Sequence, residues 1–328
     1  MDKLFLLDAY ALIYRSYYAF IRSPRINSKG LNTSAIMGFV NTLNEVLTKE
    51  NPTYIGVAFD HGKTFRHDAF PEYKAQREET PEDIKLSVPI IKDILRAFNI
   101  SILQVEGFEA DDVIGTLAKK AGATGVDTYM LTPDKDYGQL IGEHVFMYRP
   151  RHGGGYEVLG EKEVEAKYGI TSPLQVIDLL ALMGDSADNF PGCPGVGEKT
   201  AAKLINEYGS IEELIAHTDS LKGKMKEKVE AAVEDIKMSK FLATIRTDVP
   251  IDLNWEELKL VTPNEQKLRE LFAELEFKSL ADKILNKNEN KRKELNSQLD
   301  LFQEFTPIGH EEPEYSNYET IKTLQHKY

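Results

Sequence analysis

Nine acidic residues sit where carboxylates could act together: Asp8, Asp60, Glu109, Asp111, Asp112, Asp134, Asp136, Asp185 and Asp188. Asp8 and Asp60 each close an apolar run, and Asp134 and Asp136 follow another run that ends at Thr132. Glu109, Asp111 and Asp112 fall where a helix begins after Gly107, and Asp185 and Asp188 lie in the loop 184–189. Taken singly, each is explained by the preference of acidic residues for turns, helix N-caps and the positive end of the helix dipole. Gathered at one edge of a sheet, they would repel strongly unless cations held them. Oxygen ligands, with neither a CxxC pair nor an HExxH in the chain, favour Mg2+ or Mn2+ over zinc. Two such ions about 3.5–4 Å apart activate a water, stabilise the leaving oxygen and clamp a phosphodiester for in-line attack. Metal-assisted phosphodiester hydrolysis is the expected chemistry, ahead of a glycosidase-like acid and base, which needs only two carboxyl groups.

A second signal is the run from Pro191 to Thr200, which holds Gly192, Gly195 and Gly197. It fails the P-loop pattern because Gly192 and Lys199 are one residue too far apart and no suitable strand precedes them. It fails the dinucleotide fingerprint because Thr200 stands in the place of the third glycine. A helix, a glycine hairpin and a second helix remain. Gly195 and Gly197 let backbone amides approach a DNA phosphate, and Gly192, Lys199 and Thr200 complete the expected grip at the next helix N-terminus. Lys63, Arg66, Lys74 and Arg77 form a basic cluster; Lys222, Lys224, Lys226 and Lys228 form another, read as a solvated face. Tyr10, Tyr14 and Tyr18 recur at helical spacing after Asp8. Tyr10 and Tyr18 are expected in the core, and Tyr14 is a candidate stacking face for an unpaired base.

The elements that must place these residues are legible from periodicity. Apolar runs at 3–8, 54–60, 100–105, 127–132 and 145–148 alternate with helical patterns, the signature of a parallel sheet covered by helices on both faces. One amphipathic helix is expected over 34–50 with Ser34 as its cap, and another starts at Thr80 with Pro81 in its first turn. Past residue 160 short helices joined by glycine turns take over. The fold class is thus α/β, a mostly parallel sheet followed by a helix-hairpin-helix domain. The expected division is a core at 1–160, a second domain at 161–285 and a polar linker at 286–328. The single cysteine rules out an intramolecular disulfide and points to the cytoplasm, and no apolar run is long enough to span a bilayer. A net charge of −13 argues at first sight against nucleic acid, but the clustering of the basic residues matters more than the sum.

Several segments, in order, resemble the 5′-nuclease domain of bacterial polymerase I enzymes: Phe59-Asp60, Thr64 to Asp68, Tyr73 to Arg77, Glu109 to Asp112, Thr132 to Asp136, and Ala181 to Asn189 running into the hairpin. Eukaryotic flap endonucleases share the plan. The resemblance covers roughly residues 3–280. It implies that Asp8, Asp60, Glu109 and Asp111 serve one Mg2+ and Asp134, Asp136 and Asp188 a second, with Asp112 and Asp185 in support. It implies a helical arch over about 62–98, on which Lys74 and Arg77 hold the scissile phosphate and Arg66 and Tyr73 contact DNA, with Tyr14 stacking on a base. It further implies K+ at the hairpin carbonyls, a monomer, and DNA carrying a 5′ flap, a nick or an RNA primer as substrate. The insert 149–156, with three consecutive glycines, finds no place in this plan. Residues 317–328 look like the start of a further domain, so a fragment without polymerase activity is expected. A non-catalytic DNA binder could have lost carboxylates that are all present, and a small-substrate phosphohydrolase needs neither hairpin nor basic segment.

Overall fold

A computed structural model describes residues 2–151 and 153–286. Its strands β1 (Lys3–Asp8), β2 (Tyr54–Ala58), β3 (Ser101–Leu103), β4 (Asp127–Leu131), β5 (Val145–Pro150) and β6 (Tyr156–Leu159) form one sheet in the order β3-β2-β1-β4-β5-β6. β1 to β5 pair in parallel, and β6 adds an antiparallel edge. Successive side chains on a strand face opposite ways. In β1, Leu4 and Leu6 enter a core shared with the following helices, while Phe5 stacks on Tyr129 at 4.9 Å on the other face.

The edge strand explains the glycine insert. Gly153, Gly154 and Gly155 all take positive φ, between 75° and 106°, which only glycine adopts freely. They reverse the chain so that Arg151 N–H donates to the Gly155 carbonyl at 2.9 Å. Arg149 then stands opposite Glu157, paired at 2.8 Å. The insert is therefore a hairpin, and β6 escapes a sequence reading because it is short and follows three glycines.

Helix α1 (Ala9–Ala19) begins directly at Asp8, whose carboxylate caps it by accepting from Ala11 N–H at 3.1 Å. Helix α2 (Ser34–Glu45) continues as a π turn, Val46–Glu50, and stops at Asn51 with φ 48°. Ser34 is not its cap: it is the first helical residue, and its hydroxyl accepts from Arg25 N–H at 2.8 Å. The segment 62–98 comprises α3 (Phe65–Ala69), a run of turns, and α4 (Glu82–Ala97), which Pro81 precedes as N-cap. Helix α5 (Ala110–Gly122) packs on β1 and β4. Beyond the sheet come α6 (Glu161–Tyr168), α7 (Gln175–Met183), α8 (Glu198–Tyr208), α9 (Ile211–Ala216), α10 (Lys224–Ala231) and α11 (Val233–Ala243). α7 is central among them, packed on α8 and α11. Sheet and helices up to Ala281 form one compact unit. The linker expected over 286–328 lies almost wholly outside the described residues.

Candidate active site

The strand order reverses between β1 and β4, and ligands of open parallel sheets bind outside the strand ends at such a point. Asp8 closes β1, Asp60 follows β2 and Asp134 follows β4. Together with Glu109, Asp111 and Lys74 they line a cavity of about 600 Å3. Asp8 is buried and accepts from the Tyr137 hydroxyl at 3.0 Å and the Thr132 hydroxyl at 3.3 Å. Burial, and then the nearby charges of Asp60 and Asp134, still push its carboxyl up to about 7. Desolvation raises Asp60, Asp111, Asp134 and Asp136 as well, with neighbouring carboxylates adding to the rise. The Asp136 Oδ1 atom is buried without a hydrogen-bond partner. Crowded carboxylates whose charge is this disfavoured, with an oxygen left over, suit hard divalent cations.

Basic side chains meet these carboxylates. Lys74 Nζ lies 2.9 Å from Glu109 and 3.9 Å from Asp188, Arg77 pairs with Asp188, and Lys135 lies 2.8 Å from Asp185. Burial alone would raise Glu109, but Lys74 and Arg66 outweigh it and hold the carboxyl below its usual range. Among the described residues, no three acidic, His or Cys side chains converge closely enough to enclose an ion as they stand.

Residues 73–77 are latched onto the loop of Asp185 and Asp188. Lys74 takes a left-handed φ of 56°, a strained conformation for a side-chain-bearing residue. Its N–H donates to the Asp188 carbonyl at 3.0 Å, Arg77 Nε donates to Ala187 O at 3.2 Å, and Asn189 donates to Glu72 O at 2.7 Å. The Lys74 ammonium is thereby fixed over the cavity, and Tyr14, with its hydroxyl on Thr80 at 3.0 Å, borders the same space.

Four expected site residues stand elsewhere than the sequence suggested. Arg66 is 1% exposed. Its guanidinium grips both oxygens of Asp112 at 2.8 Å and donates to the carbonyls of Leu242 and Thr244, so it cannot reach DNA. Asp112 is fully buried, and its oxygens also accept from the N–H groups of Glu109 and Arg246; it lies outside the cavity lining and supports the site as the anchor of Arg66. Tyr73 is buried with its hydroxyl on Glu109 at 3.1 Å, and so it supports a carboxylate instead of touching DNA. Gly192 is buried too: its N–H is taken by the Ser239 hydroxyl at 2.9 Å, and any Cβ there would collide with the backbone of Met183 and Gly184. Two further readings change. Tyr18 is 54% exposed and Tyr10 only half-buried, so this stripe is not core. Tyr137, Thr132 and Lys135 were missed, because nothing in their spacing separates them from ordinary core and surface residues.

The hairpin joins α7 to α8. Gly195 and Gly197 are exposed, and Gly197 is the N-cap of α8 without a side chain to occupy its first amides. The first residues of the helix, Glu198 and Lys199, are exposed, and a helix N-terminus with no side-chain cap suits an anion. Of the second lysine cluster, Lys222, Lys224 and Lys228 are exposed, as expected of a solvated face, and the Lys228 ammonium lies 2.6 Å from where a Cβ on Gly195 would stand.

An acidic, all-oxygen site at a sheet switch point, next to an amide-rich helical hairpin, is the plan of a nuclease. The chain belongs to the 5′-3′ exonuclease family: the model of that family's N-terminal resolvase-like domain matches residues 3–169, and that of its C-terminal SAM fold matches residues 171–266. It is 42% identical to DNA polymerase I of Bacillus subtilis over 286 residues, which cover 86% of this chain and 32% of that one. It is 38% identical to a 5′-3′ exonuclease of Aquifex aeolicus, covering 87% of this chain and 96% of that one. The chain thus spans about a third of the polymerase I relatives and nearly all of the free-standing exonuclease. In fold it resembles the T5 5′-exonuclease with zinc bound, at a TM-score of 0.63 and 21% identity, covering 84% of this chain and 98% of that one. It also resembles the catalytic core of Rad2 in complex with DNA, at 0.57 and 18%, covering 87% and 91%.

Proposed function

We propose that this chain is a Mg2+-dependent, structure-specific 5′-nuclease that hydrolyses phosphodiester bonds in DNA bearing a 5′ flap, a nick or an RNA primer. The observation that carries the reading is the set of mutually repelling carboxylates around one cavity, with Lys74 fixed above them. Asp8, Asp60, Glu109 and Asp111 would hold one divalent ion, and Asp134, Asp136 and Asp188 a second, with Asp185 in support. When bound, the ions supply an activated water and stabilise the leaving oxygen.

The chain's own residues supply the rest. Lys74 and Arg77, now paired with Glu109 and Asp188, are placed to turn to a phosphate once metal satisfies those carboxylates. Tyr137 and Thr132 orient Asp8 by hydrogen bonds. The backbone at the exposed Gly195 and Gly197, with Lys199 and Thr200, would grip duplex phosphates without reading sequence, and K+ at the hairpin carbonyls would have to displace the Lys228 ammonium that now stands beside Gly195. We place the chain in replication and repair in the cytoplasm, acting as a monomer beside polymerase domains of the kind its relatives carry.

The test uses a 5′-labelled flap, a nicked duplex and a plain single strand, each with Mg2+ or EDTA. Cleavage of the first two in Mg2+ alone is expected, and Asp134→Asn should bind the flap normally in Ca2+ while turning over at least 10³-fold more slowly. Flap binding without cleavage in either Mg2+ or Mn2+ would instead favour a DNA-structure binder.

A further inference from the structure

Helix α11 ends at Ala243, and the last carbonyls of a helix find no partner within it. Two of them are taken by buried side chains from different parts of the site: Leu242 O accepts from Arg66 Nε and Ala243 O from Gln139 Nε2, each at 2.9 Å. The chain then leaves the helix extended, with Thr244 at φ −74° and ψ 116°, so successive residues face opposite ways. On one side Thr244 O accepts from Arg66 at 2.9 Å and Arg246 N–H donates to Asp112 at 2.8 Å. On the other, Ile245 N–H donates to Gln139 Oε1 at 2.9 Å. Residues 242, 244 and 246 thus hold the Arg66–Asp112 pair, which in turn bonds Glu109 at the start of α5. Residues 243 and 245 hold Gln139, which lies in the 3-10 turn Lys135–Leu140 with Asp136 and also donates to Asp136 O at 3.1 Å. One short strap therefore ties together two carboxylate-bearing elements that are distant in sequence.

We propose that Gln139 is a positioning residue: through the strap 242–246 it holds the turn of Asp134 and Asp136 against the start of α5, with Glu109 and Asp111, and so sets the spacing of the two divalent ions. This rests on the nuclease reading above. Two ions share one phosphodiester only at about 3.5–4 Å, yet the carboxylates that would hold them repel one another. A tie between the two groups is therefore needed. A cation in that place would compete with the ions for the same oxygens, whereas the neutral amide of Gln139 bonds backbone groups alone and leaves every carboxylate free. Gln139 is 4% exposed, and a buried amide is tolerated only when both its ends are bonded, as they are here.

The experiment titrates Mn2+ into the full chain and counts bound ions by the loss of the free-ion paramagnetic resonance signal, while the magnetic coupling between two bound ions reports their spacing. The parent should take up two coupled ions. Gln139→Met keeps the length of the side chain and removes its amide, so the second ion should bind on the order of tenfold more weakly and the coupling should change. The Mg2+ concentration that half-saturates cleavage should rise by a similar factor. Thr116→Val serves as the structural control: the buried Thr116 hydroxyl accepts from Val249 N–H at 3.1 Å, just beyond the strap, and its loss should lower the melting temperature while both ions bind as in the parent. Unchanged second-ion affinity and coupling in Gln139→Met, or the same weakening in Thr116→Val, overturns the proposal, because the amide would then serve only the fold. Should Gln139→Met not fold, Gln139→Asn, one methylene too short to reach both sides, carries the same comparison. A parent chain that binds fewer than two Mn2+ fails the two-ion reading instead, so the two failures are distinguishable.

Discussion

The carboxylate site and the glycine hairpin are both read here as DNA-facing, yet they are built on opposite principles. The site draws charges from strand ends and loops as far apart in sequence as Asp8 and Asp188, forces them into a partly dry space, and balances them with Lys74, Arg77 and Lys135. The hairpin is local: it consists of backbone amides, two exposed glycines and one nearby ammonium. The difference teaches that turnover requires electrostatic tension held by long-range contacts, while grip requires only amides left free. Damage to the first should appear in folding and rate, and damage to the second in affinity.

The largest effect is expected beneath the site. Arg66→Ala leaves Asp112 buried without its counter-charge, a loss of about 3–5 kcal/mol in stability. Denaturant midpoints measure it. Arg66→Lys should rescue little, since one ammonium cannot replace a guanidinium fork that serves two oxygens and two carbonyls. If the alanine variant instead kept its midpoint and lost DNA affinity, Arg66 would be a DNA contact after all.

Next comes Lys74→Ala. On the function proposed above, Lys74 would face charge that develops in the transition state, so its loss should lower kcat on the order of 10² to 10³-fold by analogy with other positioned donors. Single-turnover rates at saturating enzyme, with binding measured in Ca2+, separate the terms. Weaker binding with an unchanged saturated rate would make residues 73–77 a docking surface and erase the contrast with the hairpin.

A smaller effect concerns pH and metal. The unfolded chain protonates its carboxyls near pH 4, whereas the folded chain holds Asp8 at about 7 and also raises Asp60, Asp111, Asp134 and Asp136. A raised folded pKa favours the fold at low pH, and that contribution is lost as pH climbs from about 4 towards 7. Glu109 and Asp185 are lowered, so their contribution is lost only as pH falls through the acid range. In EDTA the melting temperature should therefore fall between pH 5 and pH 8. Mg2+ should raise it more at pH 8 than at pH 5, because protons and metal compete for the same oxygens. A gain from Mg2+ independent of pH would count against these carboxylates as the ligands.

Much of this arrangement was legible in the sequence, for a physical reason: apolar runs ending in aspartate specify buried strands with acids at their ends, and a glycine run between helical patterns specifies a tight turn. Arg66 was not legible, because its burial depends on carbonyls at Leu242 and Thr244, some 180 residues away. Nor was Tyr18, since four-residue spacing names a helix face without saying what covers it. Tyr137 and β6 were missed because each looks like ordinary local structure until its partner, Asp8 or β5, is in place.

The smallest effect should come from the hairpin. Gly195 takes φ 75°, where a β-branched residue is strained, and a Cβ there would displace the Lys228 ammonium. Gly195→Val should therefore weaken DNA binding several-fold while the rate at saturating DNA holds. Backbone strain and lost phosphate contact are separable through Lys228→Gln, which removes the charge and leaves the backbone alone. If the ammonium neutralises a phosphate, that variant lowers the log-log slope of affinity against salt by about 0.9, and Gly195→Val lowers it by at least as much. A valine variant that loses affinity with the slope intact would point to distortion of the hairpin, whose amides then do the gripping without Lys228. A valine variant that lost saturated rate would join the hairpin to the chemistry, and the division of labour between the two regions would fall.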